Sequence, residues 1–408
     1  MNNIFLIGII LLSGIGAQSA HSEMTQRDVQ GVGDENATQV IQVGPNRVYK
    51  TPSAAAMVAT DGALIEIDAA VYPGDVAVWP QSGLTLRGVG GRPHLKAEGN
   101  SAEEKAIWVI KGNDVTVENV ELSGARVADM NGAGIRHEGG NLTIRNTHFH
   151  DNEMGILTGN SPESEILIEG SEFNENTVDY QRYGLLGHNI YIGGARRFTL
   201  RASYIHHAMT GHNVKSRAKE NYILYNRIMD ETGGSSYLVD LSGGGEGYLI
   251  GNLFHQGKRN ENSTLIAFAA EGDRTNPDQV LYVVNNSFVN DDSGGMFVQN
   301  FSIASAQLKN NLFIGRGSAL AGPGQLTNNL MKDEAGLRDQ GAYDYRLTAG
   351  SAAIDQGIDP GQAENGFSLL PEYQYVHPLS VAPRPVRGRI DIGAYEYNED
   401  NSGGGVVE

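Results

Sequence analysis

The sequence contains no cysteine. That absence excludes disulfide bracing, a thiolate metal centre and a lipid anchor on cysteine, so stability has to come from stacking and hydrogen bonding. Positive charge is also scarce: 30 Lys and Arg stand against 48 Asp and Glu, a formal net charge of −18. Such a chain gains nothing from counterion release on nucleic acid and is repelled by anionic membranes. The apolar run near the start, from Ile4 to Leu12, is far short of the roughly 20 residues that span a bilayer. Helical periodicity is nearly absent after residue 60, which excludes helical solenoids.

What remains is rich in Gly and Asn, with short alternating apolar segments between turn residues, the pattern of an all-β chain. Polar residues recur two positions before a bulky apolar one: Ser171 before Phe173, Ser203 before Ile205, Asn226 before Ile228, Asn252 before Phe254, Asn286 before Phe288 and Asn311 before Phe313. Their intervals of 23 to 34 residues fit the coils of a stacked repeat whose loops vary in length. An Asn at a fixed corner passes its amide hydrogen bonds from coil to coil, and the apolar partner fills the interior. The expected fold is therefore a right-handed parallel β-helix, one elongated domain over residues 46–345. Thr51 followed by Pro52 predicts a short helix capping its amino-terminal end.

The flanks read differently. The apolar run, followed by small residues at Ala17, Ser19, Ala20 and Ser22, predicts a signal peptide over residues 1–22, hence a secreted or periplasmic protein. Residues 23–45 read as a linker, 346–397 as a carboxy-terminal capping segment, and the Gly-rich 398–408 as a disordered tail.

One pair of coils changes chemistry while keeping its pattern. Gly187-His188-Asn189-Ile190-Tyr191-Ile192 returns 24 residues later as Gly211-His212-Asn213-Val214-Lys215-Ser216. Strand alternation sends Ile190 and Val214 inward and puts Tyr191, Lys215 and Asp240 in one outward row, about 4.8 Å apart from coil to coil. Arg217 follows on the same face. Asn189 and Asn213 are expected outward as well, with His188 and His212 at the strand entrances. Arg136, His137, Arg196 and Arg197 add a basic strip in an otherwise acidic chain.

These residue types suit β-elimination on a uronic-acid polymer, which needs the sugar carboxylate neutralised, a base for the proton at C5 and an acid for the departing oxygen. The catalytic set is then Lys215, Arg217, Tyr191, His212, His188 and Asp240. The substrate-binding set is Arg136, His137, Asn189, Asn213, Arg196 and Arg197. Lys215 sheds its proton more readily beside Arg217 and Arg136, while Asp240 acts in the opposite sense.

Residues 205–257 carry a resemblance. Asn213-Val214-Lys215-Ser216-Arg217-Ala218-Lys219-Glu220-Asn221-Tyr222, with Tyr225-Asn226-Arg227-Ile228 and Leu249-Ile250-Gly251-Asn252-Leu253-Phe254, is similar to polysaccharide lyase family 6, the alginate lyase and chondroitinase B group. The resemblance implies Lys215 as base. That family's Arg-His-Gly element and acidic calcium ligands are replaced here by Val239-Asp240-Leu241-Ser242-Gly243-Gly244 and Thr210-Gly211-His212. Calcium is thus a cofactor implied by resemblance, without a ligand set in the sequence. The expected partner is an acidic polysaccharide, met by a monomer. Alternatives left open are a glycoside hydrolase using Asp240 with Asp230, Glu231 or Glu271, a C5-epimerase, and a noncatalytic binding β-helix.

Overall fold

The computed structural model describes residues 38–178, 182, 184, 187–272 and 276–398. The expected signal peptide, residues 23–37 of the linker and residues 399–408 of the tail lie outside the described residues. The chain winds repeatedly through three parallel sheets of 12, 11 and 10 strands, visiting the first, second and third in turn on each coil. This is the right-handed parallel β-helix that the corner pattern predicts.

Alternation produces it. In Leu64–Asp68, Ile65 and Ile67 turn inward and are fully buried, while their neighbours are half-exposed. Because register pairs equal positions, identical side chains meet on successive coils. Phe149 stacks on Phe173 at 4.5 Å, and Phe288 stacks on Phe254 at 4.8 Å and Phe313 at 5.0 Å. The polar corner behaves as expected. The Asn252 amide donates to Asn286 Oδ1 (2.9 Å), and the Asn286 amide donates to Asn311 Oδ1 (3.0 Å). Ser171, Ser203 and Asn226 continue the chain toward the amino end through backbone N–H bonds.

The short helix spans Pro52–Ala56, capped by the Thr51 hydroxyl accepting from the Ala54 N–H (3.3 Å), and buries Ala55. Coiling begins within the stretch read as linker, since Val40–Val43 already pairs in register with Leu64–Asp68.

The carboxy-terminal segment also sits differently from a cap. Tyr345, Leu347, Ala353, Tyr375 and Ile392 pack with Met229, Leu253, Val289 and Leu312 on the outside of the second sheet. Ala363 and Leu369 pack with Tyr248 and Tyr282 of the first. Those outward positions are apolar and need a cover, whereas the last strand of the first sheet, Gly324–Thr327, stays exposed throughout.

Candidate active site

The third sheet carries the row expected from alternation. Strand Val214–Ser216 lies between His188–Ile192 and Val239–Leu241, and register places Tyr191, Lys215 and Asp240 on successive coils. Val214 and Ser216 point into the interior. The row continues through Leu157 to Arg136 in the other direction.

Two side chains of this face, Arg217 and Lys215, meet on a residue that comes from farther along the chain. Just beyond the third-sheet strand Thr264–Phe268, the chain turns back so that Glu271 reaches over two coils. Its N–H donates to the Ser242 carbonyl (3.0 Å), and Asn276 anchors the loop on the carbonyls of Gly243 (3.2 Å) and Ala218 (3.3 Å). Arg217 grips the Glu271 carboxylate with two parallel bonds, Nε to Oε2 at 2.7 Å and Nη2 to Oε1 at 2.6 Å, while Lys215 Nζ donates to Oε1 at 2.9 Å. The Tyr191 ring lies beneath both cations, 5.1 Å from the guanidinium carbon and 5.8 Å from Nζ. These charge-assisted bonds, Arg217's first, pull the Glu271 carboxyl down to about 2.

Behind Lys215 is a second, buried layer. Asp240 Oδ2 lies 3.4 Å from Lys215 Nζ and accepts from the Ser242 hydroxyl (2.7 Å), while Oδ1 has no hydrogen-bond partner. Burial raises the Asp240 carboxyl, and Lys215 opposes the rise. His212 Nδ1 accepts the Tyr237 N–H (3.2 Å), so a neutral ring carries its proton on Nε2, 3.5 Å from Asp240 Oδ2. Burial, reinforced by Lys215, pushes His212 down to about 3. His188 stacks on His212 at 4.9 Å, accepts the His212 N–H at Nδ1 (3.0 Å), and is shifted well down for the same reason. Asp240, His188 and His212, all expected among the catalytic residues, therefore form a buried support under Lys215 and Tyr191.

Several placements differ from the expectation. Asn189 and Asn213 are fully buried, because alternation breaks at Asn189-Ile190 and both residues turn inward. They belong to a second interior ladder: Asn152 donates to Asn176, Asn176 to Asn189, Asn189 to Asn213, and Asn213 to Asp230. His137 also points inward, with Nε2 lacking a hydrogen-bond partner, and burial pushes it down to about 4. Arg196 and Arg197 lie in Ala195–Arg201 of the first sheet, around the corner from the row, tied to Glu165 and Glu220. Arg136 is on the row but two coils from Tyr191 with Leu157 between, and pairs with Glu138 at 3.4 Å. Asp230, a candidate partner in a hydrolase, closes the interior ladder and is fully buried.

Among the described residues, no group of three metal-ligating side chains converges beside Lys215. The two carboxylates there already serve Lys215 and Arg217. This donor set does not fit a calcium ion, which takes six to eight oxygen ligands.

No protein-family model and no curated protein matches the sequence. Among solved structures, pectate lyase Pel9A superposes with a TM-score of 0.57 at 15% identity, covering 89% of this chain and 97% of its own. A pectin methylesterase from Aspergillus niger aligns at 12% identity with a TM-score of 0.34, covering 78% of this chain and 92% of its own. At such identity the first likeness establishes the fold.

Proposed function

We propose that the chain is a polysaccharide lyase that cleaves a uronic-acid polymer by β-elimination on the outer face of the third sheet. The observation that carries this reading is the carboxylate receptor: Arg217 and Lys215 close on a single carboxylate, Glu271, above the Tyr191 ring. The receptor holds the chain's own carboxylate where a uronate group of the substrate binds. Glu271 is the most exposed member, its side chain 42% accessible against 12% for Lys215 and 29% for Arg217, so it is the partner an incoming carboxylate competes with. A polymer offering many carboxylates competes for that place with the same kind of group, exchanging one carboxylate for another on Arg217 and Lys215.

With the sugar carboxylate on Arg217, negative charge developing at C5 is neutralised as the proton leaves. Lys215, reacting as the neutral amine, takes the C5 proton on its Nζ lone pair and becomes the ammonium. The C5–H electron pair forms the C4=C5 double bond as the C4–O bond breaks, and Tyr191, one coil away, protonates the departing oxygen. Asp240 is a positioning residue. It holds Lys215 from below and is itself fixed by Ser242 and His212. A hydrolase reading has less support, because Asp240 is buried and Glu271 is held by both cations, so among the described residues no free pair of carboxylates flanks a bond beside Lys215.

Fold likeness to pectate lyase Pel9A makes polygalacturonate the first polymer to try, ahead of alginate and glycosaminoglycans. Export, expected from residues 1–22, would bring the enzyme to such a polymer. Mass spectrometry of the digestion products tests the reaction class. Fragments lighter by one water than hydrolysis products support elimination; hydrated fragments, or intact polymer in every case, overturn it.

A further inference from the structure

The second sheet carries a separate cluster on its outer face, away from the Lys215 row. Register places His94 beside Glu121, and Glu121 beside His148, with Ser123 and His150 two residues along the neighbouring strands. Two imidazoles from different coils converge on one oxygen of the carboxylate between them. His94 Nδ1 and His150 Nε2 each lie 3.1 Å from Glu121 Oε1. Ligand atoms bound at about 2.0–2.1 Å around a tetrahedral ion lie roughly 3.3 Å apart, so these separations already match a shared ion.

The outer nitrogens are held as metal-binding imidazoles require. His150 Nδ1 is 2.7 Å from Asp151 Oδ2, and His94 Nε2 is 2.7 Å from the Ser123 hydroxyl. A carboxylate only accepts, so His150 carries its proton on Nδ1. Its Nε2 lone pair then faces the Glu121 oxygen, two acceptors 3.1 Å apart with nothing between them. Either a second proton or a cation resolves that contact. His148 stacks on His150 at 4.5 Å and is occupied by Asn174 Oδ1 (2.6 Å), which keeps the His150 ring in place. The three side chains are 18–26% accessible, so an ion and a water ligand have a route in. Lys96, on the His94 strand, bears on the cluster, and Glu172 offsets it from the His148 side.

We propose that His94, Glu121 and His150 bind a zinc-class divalent ion, clamping three consecutive coils and leaving a coordination position open to solvent. Imidazole nitrogen with one carboxylate suits zinc, cobalt or nickel rather than calcium. A second His-carboxylate group, His206, His207 and Glu231, is less free. Arg227 lies 3.3 Å from Glu231, and the Tyr204 hydroxyl donates to the same oxygen.

Titration of the metal-free full chain with Zn2+ by calorimetry, and with Co2+ by visible absorbance, tests the site. The expected result is one tight ion per chain, a Zn2+-dependent rise in melting temperature, and loss of both in His94→Ala/His150→Ala but not in His207→Ala. Asp151→Asn keeps the ligands and is expected to weaken binding by about 10–100-fold. Glu121→Gln, close to isosteric, serves if the double variant fails to fold by circular dichroism. Three results overturn the proposal: no uptake by folded wild type at neutral pH, undiminished uptake in the folded site variants, or loss through His207→Ala alone. Failure of uptake leaves the lyase reading untouched, because no step of it uses this site.

Discussion

Glu271 sits where the account needs the substrate's carboxylate to go, so its removal separates a receptor from a surface ion pair. Glu271→Gln weakens the chain's own occupant while leaving Arg217 and Lys215 in place. Removing that competitor is expected to lower KM for polygalacturonate by at least about fivefold, the effect of an ordinary exposed pair worth ~1 kcal/mol, with kcat little changed. A raised KM in steady-state assays would mean that Glu271 helps the substrate bind. His137 gives a residue-level test of stability. Unfolded, it binds a proton below about 6.5; folded, only below about 4. The unfolded chain therefore binds more protons in that window, and the stability present above pH 6.5 is lost as pH falls toward 4. His137→Leu removes both this linkage and the unpartnered Nε2, so its urea midpoint relative to wild type is expected to be higher at pH 5 than at pH 8. Equal differences at both pH values would refute the burial argument.

At the scale of strands and corners, the polar ladders do the work that disulfides do elsewhere. Asn252 accepts from the backbone and amide of Asn226 and donates to Ile223 O and Asn286 Oδ1. Asn252→Ala orphans several buried groups, and a loss of roughly 2–4 kcal/mol in urea unfolding is expected. Asn329→Ala, at the less buried end of the same ladder, is expected to cost markedly less; equal costs would count against a burial-dependent ladder. This first ladder was legible in the sequence because each Asn or Ser precedes an apolar core residue at a fixed offset. The second, through Asn152, Asn176, Asn189 and Asn213, was not. There two consecutive residues turn inward, and a strict period of two assigns Asn189 and Asn213 to the wrong face. The Tyr191, Lys215, Asp240 row was legible from the same alternation, since it lies beyond the break. What sits on that row was legible only in part: Glu271 is expected near Asp240 as a carboxylate, but its grip by Arg217, 54 residues back, comes from a segment with no repeat signal. Arg196 and Arg197 misled for the complementary reason, because nearness in sequence crosses a corner into another sheet.

For the whole molecule, a net charge of −18 repels any polyanion at long range, while the receptor attracts its carboxylate over a few ångströms. Screening length falls from about 30 Å at 0.01 M salt to about 10 Å at 0.1 M. Over that range kcat/KM is expected to rise, because the distant repulsion is screened before the contact is; a steady fall would show that long-range attraction dominates instead. The β-helix makes this arrangement accessible, stacking one residue from each coil into a row a polymer can lie along, with the proposed catalytic groups about 4.8 Å apart. The most direct measurement of that claim is the ultraviolet absorbance of the C4=C5 product from polygalacturonate, compared between wild type and a folded Lys215→Ala variant. The account predicts a steady rise for the wild type and none for the variant. A variant as active as wild type, or a folded wild type that produces no absorbance on this or any other uronic-acid polymer, would contradict it.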